Sequence, residues 1–498
     1  MRRSRGNLLL FAAGVLMLAA GCRTAYTESD QNGLAESYYC GDFAAAASRA
    51  AAISEEEKSE TSLHALLWHL EAGNANLDAG NYKESLRCLE RAEKLLYLFD
   101  SGARHFQRPG MSTYRGARSD RLLLHLLKGF NYLADGSLED FMVEIRRLRA
   151  EQFRYVLTEA SPELRRYEAV NFGKKGVAPW AMRNLLRDSD KKSIFQQSGL
   201  SDGYTEYSER RRPELPLFYN PLAFYLSAIG YAFDGEYEEA VIDFRYLLML
   251  DPGNQLYRQD YAALLRALGD PLPKDFGPVF RSTVPDDQVV YFVVARGRPD
   301  GWKSRQLTYQ LPDKVPTDWS FSFPDYHKSG DDPGFSVRCG AMRVAGTHLA
   351  DLSDIMNEEY WQKIFPEMVD RAEQATEAMT AANKSAKASL AAALALPQSD
   401  YKALAVAAAT AAVAATSRAS VTEQEWRRWI TLPRSYSVAH IALPPQGRSR
   451  KMTLAVNSSA GKKTRFELDF APETNRAVVY LREVDNGKFA LKNWESRE

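Results

Sequence analysis

The chain has 498 residues, with 64 lysines and arginines set against 64 aspartates and glutamates, so its formal net charge at pH 7 is zero. That length accommodates about two to four domains. The balanced charge excludes a general nucleic-acid binder, which needs a basic face to displace counterions from phosphate.

In chain order, Met1-Arg-Arg-Ser-Arg5 is basic, Leu8 to Ala20 is apolar, and Gly21-Cys22 closes the run before the chain turns polar. A basic start, an apolar stretch too short to span a bilayer and small residues at its end predict a signal peptide over 1–21. Leu18-Ala19-Ala20-Gly21-Cys22 resembles the bacterial lipobox, with leucine one place further from the cysteine than is usual. The resemblance implies that the Cys22 thiol carries a covalent diacylglycerol and becomes the N-terminus after cleavage; no other cofactor is expected. Arg23 in place of aspartate implies, by the same resemblance, outer-membrane sorting with the chain facing the periplasm, the cell surface being the other exposure. Residues 22–34 then read as a lipid-anchored linker.

Residues 35–272 carry helical hairpin signals. Gly73 is followed by Gly80, Tyr82, Ser85, Leu89 and Ala92; Gly129 by Tyr132, Gly136, Leu138 and Phe141; Ala228 by Tyr231, Gly235, Tyr237, Ala240 and Phe244, with Asp251-Pro-Gly-Asn254 closing the last helix. A further, degenerate unit surrounds Gly41-Asp-Phe43-Ala-Ala-Ala46. Small residues where two helices cross and large apolar ones where hairpins lock are the pattern of tetratricopeptide repeats. Phe141 is too bulky for it. Such units stack, and the stack leaves a groove along one side. An irregular excursion over 167–216, with Gly173-Lys-Lys-Gly176 and Pro179-Trp180, interrupts the array.

Composition changes after Leu272-Pro273. Strands are expected at Val289–Val294, Gln306–Leu311, Ser320–Phe323 and Phe335–Cys339, making 273–350 the first part of a β domain. Residues 351–425 form an alanine-rich helical insertion broken at Pro397-Gln-Ser-Asp400; Ala403 to Ser417 carries no charge, which predicts close packing of small residues in preference to membrane contact. The second part, 426–498, offers strands at Tyr436–Leu443, Lys451–Val456, Thr464–Phe470 and Arg476–Leu481, which read as an antiparallel sheet or sandwich joined by the earlier strands. The fold class is therefore α+β and multidomain: an N-terminal helical repeat array, then a C-terminal antiparallel β domain with a helical insertion.

Several stretches in this order resemble an uncharacterised family of bacterial tetratricopeptide envelope lipoproteins, often encoded beside lipoproteins thought to activate penicillin-binding proteins. They are Tyr132-Leu-Ala-Asp-Gly-Ser-Leu-Glu-Asp140 with Val143-Glu-Ile-Arg-Arg147, Asn220-Pro-Leu-Ala-Phe-Tyr225, Asp243-Phe-Arg245, Val293-Val-Ala-Arg-Gly297, Arg428-Trp-Ile-Thr-Leu-Pro433 and Pro444-Pro-Gln-Gly447. The family favours glutamate and asparagine before the glycine of the first strand, where this chain has Ala295-Arg296. The resemblance implies an envelope partner, such as a peptidoglycan synthase or its activator lipoprotein, and assigns no reaction.

Chemistry-bearing patterns are sparse. Gly199-Leu-Ser201-Asp-Gly203 matches a nucleophile elbow in letters but has polar Lys191-Lys-Ser before it where a buried strand is needed. His64 and His69 are five apart and do not share a helical face, and no metal-ligand spacing or phosphate loop occurs. Besides Cys22 the chain has Cys40, Cys88 and Cys339, for which buried thiols are expected over a disulfide, with a Cys40–Cys88 pair left open. The chain is thus read as a membrane-tethered, protein-binding scaffold and not an enzyme, with neither catalytic nor metal residues. The partner-binding candidates are Arg146, Arg147, Asp243 and Arg245, as contacts or ties between repeats, and Arg296, Arg428 and Trp429 at strand-helix junctions. The alternative is a glycan-capturing outer-membrane lipoprotein that partners a nutrient transporter; its aromatic platform would involve Trp426 and Trp429, the only two of eight tryptophans close in sequence.

Overall fold

The structure, a computed structural model, describes residues 28–496 apart from 58–61, 101–106, 109–110, 113, most of 155–219, 277–287, 312, 326–332, 398–399, 424–426, 446–448 and 459–460. Cys22, Trp426 and the Gly199–Gly203 motif lie outside the described residues.

Among the described residues the first helix, α1 (Glu28–Tyr39), starts inside the stretch read as linker and is followed by α2 (Phe43–Glu56), α3 (Ala65–Ala79), α4 (Tyr82–Asp100), α5 (Arg118–Ala134) and α6 (Leu138–Arg154). After the excursion come α8 (Pro221–Phe233), α9 (Tyr237–Leu250) and α10 (Gln255–Leu268); within the excursion the described α7 spans Ser189–Gln197. Helices α3 and α4, α5 and α6, and α8 and α9 form hairpins, and α4 meets α5 as α6 meets α8, so the hairpins stack in order. The helix ends follow from local chemistry: Asn220 and Asn254 cap the amides of Leu222 and Leu256, while Gly80 and Gly269 close α3 and α10 in the left-handed conformation. At Gly73 a Cβ would come within 2.5 Å of Leu89, which is why the first crossing needs glycine. The bulky Phe141 fits because it faces Gly129, where an added Cβ would stand 3.2 Å from its ring.

The first helix of each hairpin differs from the second. In α3, α5 and α8 almost every residue is buried, whereas α4, α6 and α9 bury one face only. Something other than the neighbouring helices therefore covers the inner side of the array.

It is a five-stranded sheet. Its strands are β1 (Val289–Arg296), β6 (Thr347–Asp351), β8 (Ser435–Ala442), β11 (Arg476–Val484) and β12 (Lys488–Ser496), in spatial order β12-β11-β1-β8-β6. One face, including Tyr291, Val293, Tyr436, Val438, Tyr480 and Trp494, shares a single core with the helices. The other, including Val290, Phe292, Ile441 and Val479, packs on a four-stranded antiparallel sheet of β4 (Phe335–Cys339), β5 (Met342–Ala345), β9 (Lys451–Asn457) and β10 (Lys463–Asp469). A sheet buried on both faces explains why β1 is buried at every position. The early and late strands do join across the insertion, through β1 beside β8 and β4 beside β9. The sheet is not purely antiparallel as expected, because β11 lies parallel to β1, an arrangement no local pattern specifies.

A third unit holds β2 (Gly301–Tyr309), β3 (Thr317–Asp325) and β7 (Ala419–Glu423), with β7 parallel to β3. The insertion enters through α11 (Leu352–Glu359), capped by Asp351, and a π-helical turn at Tyr360–Ile364. It continues in α12 (Phe365–Ala395), which its 31 residues make about 46 Å long, and returns in α13 (Asp400–Ala415). Trp319 and Phe321 of β3 pack with Trp361, Phe365 and Met368, and Phe195 of α7 joins them, so part of the excursion is seated on this unit. Among the described residues no helix is long and apolar enough to cross a membrane.

Candidate functional site

Helix α3 carries polar side chains inside an apolar sequence, at Glu71, Asn74 and Asp78. Spacings of three and four place them on one stripe, and all three are buried against the β domain. What they meet is the segment 427–433, which runs without regular structure into β8 and is buried throughout. The Glu71 carboxylate accepts from the amides of Ile430 (2.6 Å) and Thr431 (3.2 Å) and from the Thr431 hydroxyl (2.7 Å). Asn74 Nδ2 donates to the Thr431 carbonyl at 2.9 Å, Tyr39 donates to the carbonyl of Ile430 at 2.5 Å, and Gln31 Nε2 to that of Arg428 at 2.9 Å. Helices α1 and α3 thus hold this strap chiefly by its main chain, as a groove holds an extended peptide.

Next to the strap, Arg482 of β11 is wholly buried. Its guanidinium donates to the Tyr38 hydroxyl (3.2 Å), to the Gly297 carbonyl (2.8 Å) and to the carbonyl of Glu483. Tyr38 in turn donates to Asp78. Burial pushes Asp78 up to about 6, with Arg482 pulling the other way. Burial likewise pushes Glu71 up to about 8 against the three donors that favour its anion.

The seam continues along the array. Phe130 of α5 stacks on Trp494, with ring centres 5.2 Å apart, and touches Tyr480; Arg476 donates to the Phe233 carbonyl of α8; His440 of β8 faces Asp260 of α10 at 3.4 Å. The inner groove expected to stand open for a partner is occupied by the chain's own sheet and strap from α1 to α10.

The candidate residues fall into two groups. Arg296, Arg428 and Trp429 lie in the seam: Arg296 donates to the Gly334 carbonyl and pairs with Glu483, Arg428 donates to the Pro299 carbonyl, and Trp429 Nε1 donates to Thr431. All three are buried, and burial lowers Arg428 to about 10. The Ala295-Arg296-Gly297 turn is therefore engaged from within. The second group lies on the outer helices. Arg146 reaches Asp234 and Glu236 across the next hairpin, Arg147 reaches Glu93 and Glu144, Asp243 takes Arg149 at 3.0 Å and Ser227 at 2.6 Å, and Arg245 donates to Tyr261. Apart from Arg147–Glu144 within α6 and Asp243–Ser227 within the α8–α9 hairpin, these contacts tie each hairpin to the next helix along the array. Glu71, Asn74, Asp78 and Arg482 were not among the candidates; the signal that could have found the first three is their polar stripe in Leu66-Leu-Trp-His-Leu-Glu-Ala-Gly-Asn-Ala-Asn-Leu-Asp78.

Cys88 is a buried free thiol pushed up to about 12 by burial and nearby Glu84, Cys339 is buried and free, and Cys40 is free but exposed, contrary to the buried thiol expected there. Among the described residues no group of His, Cys, Asp and Glu side chains could hold a metal ion. Trp68, Trp319, Trp361, Trp429 and Trp494 are all buried, so none of these five presents a platform to a sugar.

No family model matches the chain, and no curated protein does. Among solved structures it is similar to one described as "TPR2AB-domain:pHSP90-complex of yeast Sti1", at 16% identity over 48% of this chain and 83% of that one. The TM-score is 0.19, at which the likeness carries no inference about fold or partner.

Proposed function

We propose that the chain is a non-catalytic scaffold of the bacterial cell envelope, tethered to the outer membrane by a diacylglycerol on Cys22 and binding a protein partner with the outer side of its helical array. One observation carries the choice of surface: the inner side is filled by the chain's own sheet, which leaves α4, α6 and α9 as the free helical face. That face exposes Tyr97 (60%), Val143, Ile242 and Met249 (54%), one or two on each successive outer helix. Large side chains exposed on a rigid support are the usual anchors of a protein interface. The lipobox resemblance supports the tether, and the family resemblance supports a peptidoglycan synthase or its activator lipoprotein as the partner.

The test is site-specific photocrosslinking in intact cells. A photoreactive residue at Tyr97 or Val143 should capture the same synthase or activator lipoprotein, and Cys22→Ala should abolish capture. Capture from the three-stranded unit instead, or capture unaffected by Cys22→Ala, would overturn the assignment of surface or of tether respectively.

A further inference from the structure

The hairpin of α12 and α13 leaves the body of the molecule part-way along α12. As far as Thr380 the helix is seated on the three-stranded unit: the Thr376 and Thr317 hydroxyls lie 2.7 Å apart, and the Val315 amide donates to Thr380 Oγ1 at 3.1 Å. At Asn383 the partner changes to α13, with Nδ2 donating to the Val413 carbonyl and to Thr416 Oγ1, each at 3.2 Å. From there to its end at Ala395, α12 buries only Asn383, Ala386 and Ala393, over a length of about 20 Å. Among the described side chains of α13 only Ala409 is buried. The outer part of the hairpin is therefore open on most sides, yet residues 388–399 and 403–417 carry no charge. Helices that are apolar all round are ordinarily covered.

Two features of the tip say by what. Leu394, the helix-ending Leu396 and Leu404 early in α13 are exposed, at 55%, 44% and 69%, and Leu404 is the most exposed large apolar side chain among the described residues. They lie on both helices and at the end between them, so an occupant has to receive an end of the hairpin instead of matching one face. The second feature is charge. Between Glu377 and Glu423 the sole acid is Asp400, against Lys384, Lys387, Lys402 and Arg418. Arg418 pairs with Asp318, whereas the three lysines have no ion-pair partner among the described residues. Lys387 stands seven residues behind Leu394, about 10 Å along the helix. The occupant is thus apolar within and anionic at its rim.

We infer that the tip of this hairpin is a contact for an anionic phospholipid bilayer, with Leu394, Leu396 and Leu404 entering the edge of the hydrocarbon and the lysines meeting headgroup phosphates. At about 20 Å the free part is shorter than the roughly 30 Å hydrocarbon core, so it dips into one leaflet without crossing. This contact needs neither a lipid on Cys22 nor the outer helical face, and it survives the failure of either assignment.

The test reads the tip directly. The full chain carrying Leu396→Trp is mixed with vesicles of phosphatidylethanolamine and phosphatidylglycerol whose acyl chains are brominated, and the fluorescence gained by the substitution is expected to be quenched. In flotation with the same lipids, unbrominated, and in a Cys22→Ala background, the combined change of Leu394, Leu396 and Leu404 to Gln should weaken binding by about tenfold or more, with circular dichroism and melting unchanged because the three side chains are exposed. Changing Lys384, Lys387 and Lys402 to Gln should weaken it about fivefold for each lysine at low salt. Absence of quenching at Leu396→Trp, or equal flotation of the parent and the folded triple-leucine variant, overturns the assignment. A dimer that the leucine changes dissolve, in a chain whose tip is not quenched, would give the tip to a second copy and overturn it equally.

Discussion

The seam between the array and the five-stranded sheet and the arm formed by α12 and α13 are both interfaces made within one chain, built from opposite materials. The seam buries tyrosines, tryptophans and charged groups, among them Glu71 and Arg482, which are held by several hydrogen bonds each. The arm packs alanine on alanine, with Asn383 Nδ2 bonding the Val413 carbonyl, and exposes Leu394, Leu396 and Leu404, the last at 69%. A buried polar contact is satisfied in one geometry only, whereas small apolar faces tolerate sliding. The seam therefore sets how the two halves of the molecule sit, and the arm adds reach.

The comparison breaks most readily at Arg482. Arg482→Ala strands the Tyr38 hydroxyl, Asp78 and the Gly297 carbonyl in the interior, and should cost about 3–5 kcal/mol in denaturant unfolding; a loss below about 1 kcal/mol would mean the seam does not depend on its buried charge. The pH dependence comes next. Asp78, Asp243 and Asp260 are raised by burial to about 6, Asp120 to about 7 and Glu71 to about 8. The folded chain thus binds more protons than the unfolded chain between about pH 4 and 8, so stability should fall as pH rises through that window. His69, lowered by burial to about 4, works in the opposite direction below about pH 6.5 but is a single group. Unfolding midpoints in urea that rise from pH 5 to pH 8 would contradict the balance. A milder cut is Glu71→Gln, which keeps the shape and gives up one acceptor; it should cost about 1–3 kcal/mol and increase proteolysis around the strap. Smallest is Leu404→Ser on the arm, expected within about 0.5 kcal/mol of wild type. A larger loss would show that the exposed face of the arm is held by something in the fold.

Much of this architecture is legible in the sequence where the information is local. Gly73, Tyr82, Leu89 and Ala92 announce a hairpin because close crossing and locking each need a particular side-chain size, and the strand expected at Phe335–Cys339 has those bounds. Strand β12 escaped because Lys488, Lys492 and Glu495 break its apolar alternation, and β5 escaped because it has only four residues. The site was legible only in part. Arg296, Arg428 and Trp429 stand out as residues at junctions, but a stripe of Glu71, Asn74 and Asp78 has the same pattern whether it faces water or a strap from residues 427–433. Only the long-range pairing decides, and sequence spacing does not encode it.

The position of β11 and β12 has a consequence for the life of the chain before it is folded. The inner side of the array is covered by strands far along the chain, so its contacts join residues as distant as Tyr38 and Arg482, 444 positions apart. Such contacts close late. While residues 427–496 are still being made or delivered, the helices present an uncovered apolar wall, the kind of surface that drives aggregation and calls for a chaperone. A stop codon just before Arg476 would remove two strands of the five and should leave a protein that is degraded, although every helix of the array would be encoded in full.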